Sequence, residues 1–358
     1  MRHVLARHGI LISLVILTVS TLGCGSSGTP VSPAPAPQPA PLPTGDTLRA
    51  AAQANGRRIG AAVQSALLLQ SRYNETVARE FSYLTAEYEM KWGAIEATQR
   101  FSNFSAGDDI VSFARSRGMD VKGHALLWHQ SLPGWVSGLS AAELRSAVAA
   151  HIRDVAGHFR GRVHAWDVVN EAVSDDGVNL RDTVFRQKLG DGYIAEAFRL
   201  AREADPGALL FYNDYGGEGS GSKSNRIYDL VRQLQADGVP IDGIGLQMHV
   251  SANNRPSDGS IAANIRRLAS LGLIVHISEM DVKVNGVPGT SEQKLEAQKA
   301  AYKSIVAVCL AEPRCEAITF WGVSDAHTWI AGDTPLLFDE QYSPKPAYAG
   351  VLDALRGR

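Results

Sequence analysis

From about residue 46 onward the chain alternates short apolar runs with amphipathic helical stretches, and eight such runs can be counted. They fall at 59–63, 81–86, 120–127, 163–169, 209–213, 241–248, 273–278 and 317–322. Each is short, rich in β-branched and aliphatic residues, and bounded by turn-forming residues, the pattern of a strand buried on both faces. The intervening stretches carry the helical period instead. LSAAELRSAVAAHIRDVAGHF places Leu144, Val148, Ile152, Val155 and Phe159 on one face, and Ser140 with Glu143 forms a capping box at its start. SIAANIRRLASLG repeats this with Ile261, Ile265, Leu268 and Leu271, and Gly272 stops it. Eight β/α units in roughly 300 residues predict an α/β fold of the closed (β/α)8 barrel type in one domain. The rival is an open doubly wound sheet. No GxGxxG follows the first run and no P-loop occurs, so the nucleotide-binding version of that sheet is disfavoured.

Composition sets the class of partner. Lys plus Arg number 35 against 37 for Asp plus Glu, with no basic stripe, so nucleic acid is not an expected partner. A neutral ligand fits this balance. The first residues read as an address: Arg2 and Arg7 precede a mostly apolar stretch at 10–22, too short to span a membrane comfortably. Cys24 follows Leu22 and Gly23, the placement of a lipidated cysteine in a bacterial lipoprotein signal, although Thr21 departs from that pattern. Lipidation of Cys24, giving a membrane tether, and simple secretion both stay open; either takes the mature protein out of the cytoplasm. Residues 1–23 thus read as an export signal, 24–45 as a Pro/Ser/Gly-rich extended linker, and 46–358 as the folded domain. Cys309 and Cys315 lie in CLAEPRC, and an oxidising destination favours a disulfide between them over two reduced thiols. No second CxxC or HxxxH stands near them, so a metal site is not expected.

Two glutamates occupy the tips of two of the apolar runs: Glu171 in WDVVNEA and Glu279 in HISEMD. A carboxylate there is costly unless it is paired or used. A lone case reads most simply as a structural ion pair. Two of them, on separate strand–helix units, point to acid/base or nucleophilic work, and a barrel gathers its catalytic side chains at the C-terminal ends of its strands.

With these motifs in place, the chain resembles the endo-β-1,4-xylanases of glycoside hydrolase family ten. The likeness runs from about residue 46 to the end and rests on EYEMKW (87–92), HALLWH (124–129), WDVVNEA (166–172), YNDY (212–215), LQMH (246–249), ISEMD (277–281), FWGVSD (320–325) and TPLLFDEQYSPKPAY (334–348), in that order. The resemblance implies Glu171 as general acid and then base, and Glu279 as the nucleophile of a retaining double displacement. Retaining enzymes hold the two carboxyls about 5–5.5 Å apart, one protonated and one ionised. It also implies that Asn170 contacts the 2-hydroxyl of the attacked sugar, where the alternative is a turn-forming asparagine. His249 is expected to orient Glu279 with Asp281 behind it, and Gln247 to contact the same sugar or the surroundings of the nucleophile. Glu87, Lys91, His124 and Trp128 are implied for the glycone side, Asn213 and Tyr215 for the leaving-group side, and Trp321 and Trp329 as the apolar wall. Taken singly, His249 and each tryptophan read as core residues and Lys91 as a solvated one; Asp214 reads as a packing and hydrogen-bonding residue. No metal or cofactor is implied. The expected partner is xylan or arabinoxylan, and a monomer is the default.

Three positions depart from the family pattern. Tyr88 stands where asparagine is common, Gln130 and Ser131 appear in reversed order, and Gly216 replaces an asparagine after NDY. All three bear on sugars beyond the scissile bond. Two other readings remain at this level. One is a barrel β-glucanase or cellulase, which usually carries Asn-Glu-Pro where this chain has Ala172. The other is an inactive surface carbohydrate-binding protein.

Overall fold

The computed structural model describes residues 46–358. The expected export signal, Cys24 and the linker lie outside the described residues. The strands are β1 (Arg58–Val63), β2 (Tyr83–Ala86), β3 (Asp120–Trp128), β4 (Ala165–Asn170), β5 (Leu209–Asp214), β6 (Gly243–Leu246), β7 (His249–Ser251), β8 (Ile274–Lys283) and β9 (Cys315–Phe320). The helices are α1 (Leu48–Ala54), α2 (Ser71–Glu80), α3 (Trp92–Ile95), α4 (Ser105–Ser116), α5 (Ala141–His158), α6 (Val184–Leu189), α7 (Tyr193–Ala204), α8 (Ser222–Ala236), α9 (Asp258–Ser270), α10 (Ser291–Leu310) and α11 (Pro346–Leu355).

All neighbouring strands pair in parallel, in the order β6-β5-β4-β3-β2-β1-β9-β8, and β6 pairs with β8 to close the ring. This is the (β/α)8 barrel that the periodicity predicts. The sixth run (241–248) does not form one strand. It breaks at Gln247 and Met248, and the short β7 then continues beside β8, pairing His249 with Asp281 and Ser251 with Lys283. That extra pairing lengthens β8 beyond its predicted end, so Glu279 sits inside the strand instead of at its tip.

The helices bury the faces that their spacing marks. Leu144, Val148, Ile152 and Val155 of α5 are all in the core, and Ser140 makes both hydrogen bonds of the capping box with Glu143. Burying each such side chain stabilises the fold by about 1.5–3 kcal/mol. Ser257 caps α9, and Gly272 ends it with φ +83°. Inside the ring the strands carry polar groups as well: Lys122, Asp167, His124 and His276 are all buried. Two strand glycines make room for large neighbours. A Cβ at Gly123 would lie 2.1 Å from the Trp166 ring, and one at Gly245 would lie 2.0 Å from the Asn213 amide oxygen. The sulfurs of Cys309, near the end of α10, and Cys315, at the start of β9, are bonded across a six-residue separation.

Candidate active site

Both glutamates stand on the C-terminal rim of the barrel, linked through the backbone of the strands between them. Glu171 N–H donates to Asn213 O (2.9 Å), Gln247 N–H to Asp214 O (3.0 Å), and Glu279 N–H to Gln247 O (3.0 Å). The ladder therefore carries the register from one carboxylate to the other. Glu171 adopts a left-handed backbone, φ +59°, immediately after β4. Such a conformation costs about 1–3 kcal/mol in a non-glycine residue and persists only where its surroundings fix it. Here the Asn213 carbonyl holds its N–H, and Arg181 Nε donates to its carbonyl (3.0 Å). The turn aims the side chain into the cleft.

The two carboxylates have different company. Glu171 Oε2 accepts from Trp128 Nε1 (2.8 Å) and Oε1 from Gln247 Nε2 (3.0 Å). Glu279 Oε1 accepts from Asn213 Nδ2 (2.6 Å), and Oε2 lies 3.2 Å from His249 Nε2. His249 Nδ1 in turn lies 2.7 Å from Asp281, which also accepts from Trp329 Nε1 (2.9 Å). Burial alone would lower the His249 value, but Asp281 and Glu279 outweigh it and raise it to about 10. The ring is thus an imidazolium at neutral pH. Burial alone would raise the Glu279 carboxyl. The field of His124, the charge and hydrogen bond of His249, and the Asn213 amide outweigh that and hold it below the ordinary glutamate value.

Asn213 and Asn170 form the bridge between the pair. Ser278 Oγ donates to Asn213 Oδ1 (2.6 Å), which turns the Asn213 amide nitrogen toward both Glu279 Oε1 and Asn170 Oδ1 (2.9 Å). That contact fixes the Asn170 amide with its oxygen toward Asn213. Around this centre lies a cleft of about 560 Å³ lined by Glu87, Tyr88, Lys91, His124, Trp128, Gln130, Ser131, Asn170, Glu171, Tyr215, Gln247, His249, Glu279, Lys283, Trp321 and Trp329. Lys91 Nζ sits 4.7 Å over the Trp128 ring and 4.9 Å over the Tyr88 ring. Its burial lowers its pKa, while Glu279, Glu87 and Glu171 pull the other way. Trp321 is buried edge-on against His124, whereas Trp329 stands half-exposed at the rim.

The family model for glycosyl hydrolase family 10 matches residues 47–354. The chain belongs to glycosyl hydrolase family 10. It is 41% identical over 293 residues to endo-1,4-beta-xylanase B of Thermotoga neapolitana, spanning 79% of this chain and 83% of that one. An endo-1,4-beta-xylanase of Agaricus bisporus is 41% identical over 281 residues, 76% of this chain and 83% of that one. Among solved structures, xylanase 10B from Thermotoga petrophila in complex with xylobiose superposes with a TM-score of 0.84 at 40% identity, covering 87% of this chain and 97% of that one.

Within this family 10 site most of the residues singled out from the sequence converge, and Asn213 is the exception. Asn213 does not face the cleft: it is fully buried beneath it, where the space left by Gly245 admits its amide, and it holds Glu279 and Asn170. The Gln247 side chain bonds Glu171 and Asn170, because the break after β6 turns it toward β4, while its backbone carbonyl accepts from Glu279 N–H. Asp281 lies behind His249, buried, and reaches the cleft only through His249 and Trp329. Asp214 is a support, as expected. Burial pushes its carboxyl up to about 6 against the pull of Lys223, 3.0 Å away, and it accepts from Tyr212 Oη. Tyr215 lines the cleft with its hydroxyl tied to Arg181 (3.1 Å) and Asp175.

Sequence reasoning missed several supports. Gln64 Nε2 donates to Glu87 Oε2 (3.1 Å), and burial raises the Glu87 carboxyl while that bond opposes the rise. Asp167 joins Lys122 Nζ (2.6 Å) to His124 Nδ1 (3.0 Å), and His124 Nδ1 is 3.9 Å from Glu279. Both Lys122 and Asp167 are charged residues inside apolar runs, the same signal that exposed the two glutamates.

Proposed function

We propose that this chain is a retaining endo-1,4-β-xylanase that cuts internal xylosidic bonds through a covalent glycosyl-enzyme. The observation that carries the reading is a family 10 site in which one rim glutamate is held anionic by an imidazolium and an amide, beside a second glutamate held by indole and amide donors. In the first step a Glu279 oxygen bonds to the anomeric carbon while the glycosidic C–O bond breaks, and the leaving oxygen takes the proton of Glu171. In the second step Glu171 removes a proton from water, the water oxygen bonds to the anomeric carbon, and the ester to Glu279 breaks. Two inversions return the starting configuration. Asn170 faces the 2-hydroxyl of the attacked sugar, Glu87 and Lys91 hold hydroxyls on the glycone side, and Trp321 and Trp329 offer apolar faces to the rings. No charge on the substrate is needed, which suits a neutral polysaccharide such as xylan or arabinoxylan.

Initial rates on xylan and on carboxymethyl-cellulose test the substrate. Faster release of reducing ends from the glucan would replace xylanase by β-glucanase, and release from neither would leave a binding protein.

The electrostatics predict the acidic limb of the pH profile. Glu279 must be ionised to attack, and its carboxyl is held below the ordinary glutamate value of about 4.3. Activity should therefore persist as the pH is lowered through that ordinary value and fall only below it. In His249→Ala the imidazolium is gone, the Glu279 value rises, and the limb in kcat/KM moves to higher pH. An unmoved limb in that variant would show that His249 does not set the charge of the nucleophile.

The exported state is part of the same proposal: the chain works outside the cytoplasm as a monomer, either free or tethered through lipidated Cys24, with Cys309 and Cys315 oxidised. Metabolic labelling with a radioactive fatty acid, lost in Cys24→Ser, would separate tethering from secretion. Closing so short a loop contributes about 2 kcal/mol in the chain-entropy account. The Cys309→Ala/Cys315→Ala double variant should lose about that much in denaturant unfolding. No loss would mean that the pair is reduced in the working protein.

A further inference from the structure

In the turn between β6 and β7 three consecutive residues serve both carboxylates. Gln247 reaches Glu171 and His249 reaches Glu279, and the residue between them, Met248, has φ +67°. A bulky residue holds that conformation only under constraint from outside. The constraint comes from the loop after β5. Glu218, fully enclosed there, accepts with one oxygen from Met248 N–H (3.2 Å) and from Gly216 N–H (3.1 Å). The loop itself is fastened from behind: Asn264 of α9 donates to Gly217 O (2.7 Å) and Glu218 O (3.2 Å). It is also packed tightly, since a Cβ at Gly219 would meet Pro256 at 2.6 Å. Glu218 forms no salt bridge among the described residues; burial raises its carboxyl, and its backbone donors and the nearby charge of His249 oppose the rise.

We propose that Glu218 is a positioning residue for the glycosidic reaction, holding the Gln247–Met248–His249 turn in the strained form that sets both catalytic carboxylates. This rests on the xylanase reading above. Glu218 touches no substrate; its effect passes through Gln247 to the acid/base and through His249 to the nucleophile. Displacements of about 1 Å at such a site can cost on the order of 100-fold in rate.

The test is kinetics of the whole protein carrying Glu218→Gln, Glu218→Asp or Glu218→Ala, with pH profiles on xylo-oligosaccharides and thermal melting alongside. Glu218→Gln removes the charge but keeps a carbonyl oxygen at the same reach, and should retain kcat within about threefold. Glu218→Asp, one methylene short, and Glu218→Ala lose the contact; kcat should fall about 10–100-fold with KM within about twofold. In both, His249 should loosen from Glu279, so the acidic limb of kcat/KM should move up, while Glu218→Gln leaves it in place. The groups facing Glu279 that could also move the limb are His124 from β3, Lys91 after β2 and Glu171 after β4; all are unchanged in these variants. Folded Glu218→Asp or Glu218→Ala protein with wild-type kcat and an unmoved limb would overturn the proposal, whatever its melting temperature. If Glu218→Ala does not fold, Glu218→Asp carries the comparison with Glu218→Gln. A wild-type protein inactive on xylan would sink the xylanase reading itself and is read out separately.

Discussion

Glu279→Ala should leave a folded protein with kcat/KM on xylan reduced by about 10⁴-fold or more, because no other group can form the covalent intermediate. The side chains around this residue explain why so little can substitute. Asn213, His249 and His124 all point at the place where its oxygens sit, and none of them is a nucleophile able to take their role at that distance. Removing the carboxylate leaves room for a small anion beside the His249 imidazolium. Azide entering there meets the anomeric carbon from the face that Glu279 used, and with an activated leaving group it should give the glycosyl azide of inverted configuration. Product analysis by NMR reads the configuration directly. A retained product from Glu279→Ala would exchange the roles of the two glutamates, and near-normal hydrolysis without azide would remove Glu279 from the chemistry altogether. Loss of Glu279 also withdraws one of the two anions that raise His249, so its value should fall from about 10 toward that set by Asp281 alone.

The alternation of runs was enough to reach the barrel because each strand is short, apolar and buried on both faces, and each intervening helix shows its own period. Likewise Glu171 and Glu279 announced themselves as charges where an apolar strand should end. What local pattern could not supply was the partner list. His124 and Asp167 are 43 residues apart and meet only because β3 and β4 pair in the register that sets His124 opposite Asp167. Asn213 is separated by 66 residues from Glu279, and it turns beneath the cleft because Gly245, on the neighbouring strand, leaves the space. A sequence read one segment at a time gives no register between strands, so Asn213 read as a cleft residue.

The break in the sixth run failed for a different reason. Its apolar residues recur at every second position, Ile244, Leu246 and Met248, and nothing in that spacing signals that Met248 takes a left-handed backbone. The cause is an acceptor thirty residues earlier, Glu218, in a glycine-rich loop whose sequence reads as a plain turn. The consequence reaches into the site: the break directs Gln247 to Glu171 and lets β7 pair with the extended end of β8, which sets His249 beside Glu279.

Glu171→Ala should lower kcat/KM on xylan by about 10²–10⁴-fold, and the loss should shrink as the leaving group improves. The xylan leaving group is a sugar alkoxide that needs a proton as the bond breaks. A nitrophenolate needs far less help, so formation of the glycosyl-enzyme should survive in the variant while its hydrolysis stalls, because no base remains to activate water. An initial burst of nitrophenol followed by a slow steady state is the expected trace. Azide needs no base. It should enter the space vacated beside Trp128 and Gln247, attack the glycosyl-enzyme from the face opposite Glu279, and restore the steady state while giving the glycosyl azide of retained configuration. The two alanine variants thus give azides of opposite configuration from one substrate, which ties each carboxylate to one face of the sugar. If azide leaves Glu171→Ala as slow as before, with no burst, then Glu171 is not the base for the second step. The same variant reports on geometry: with Glu171 gone, Trp128 Nε1 is free to bond solvent or the bound anion, and Gln247 Nε2 keeps only Asn170 Oδ1 (3.3 Å). Pairing Glu171→Ala with Gln247→Ala should then cost little beyond the single change in the burst assay, since Gln247 acts on the acid/base through that one hydrogen bond. A large additional loss would mean that Gln247 holds the substrate as well.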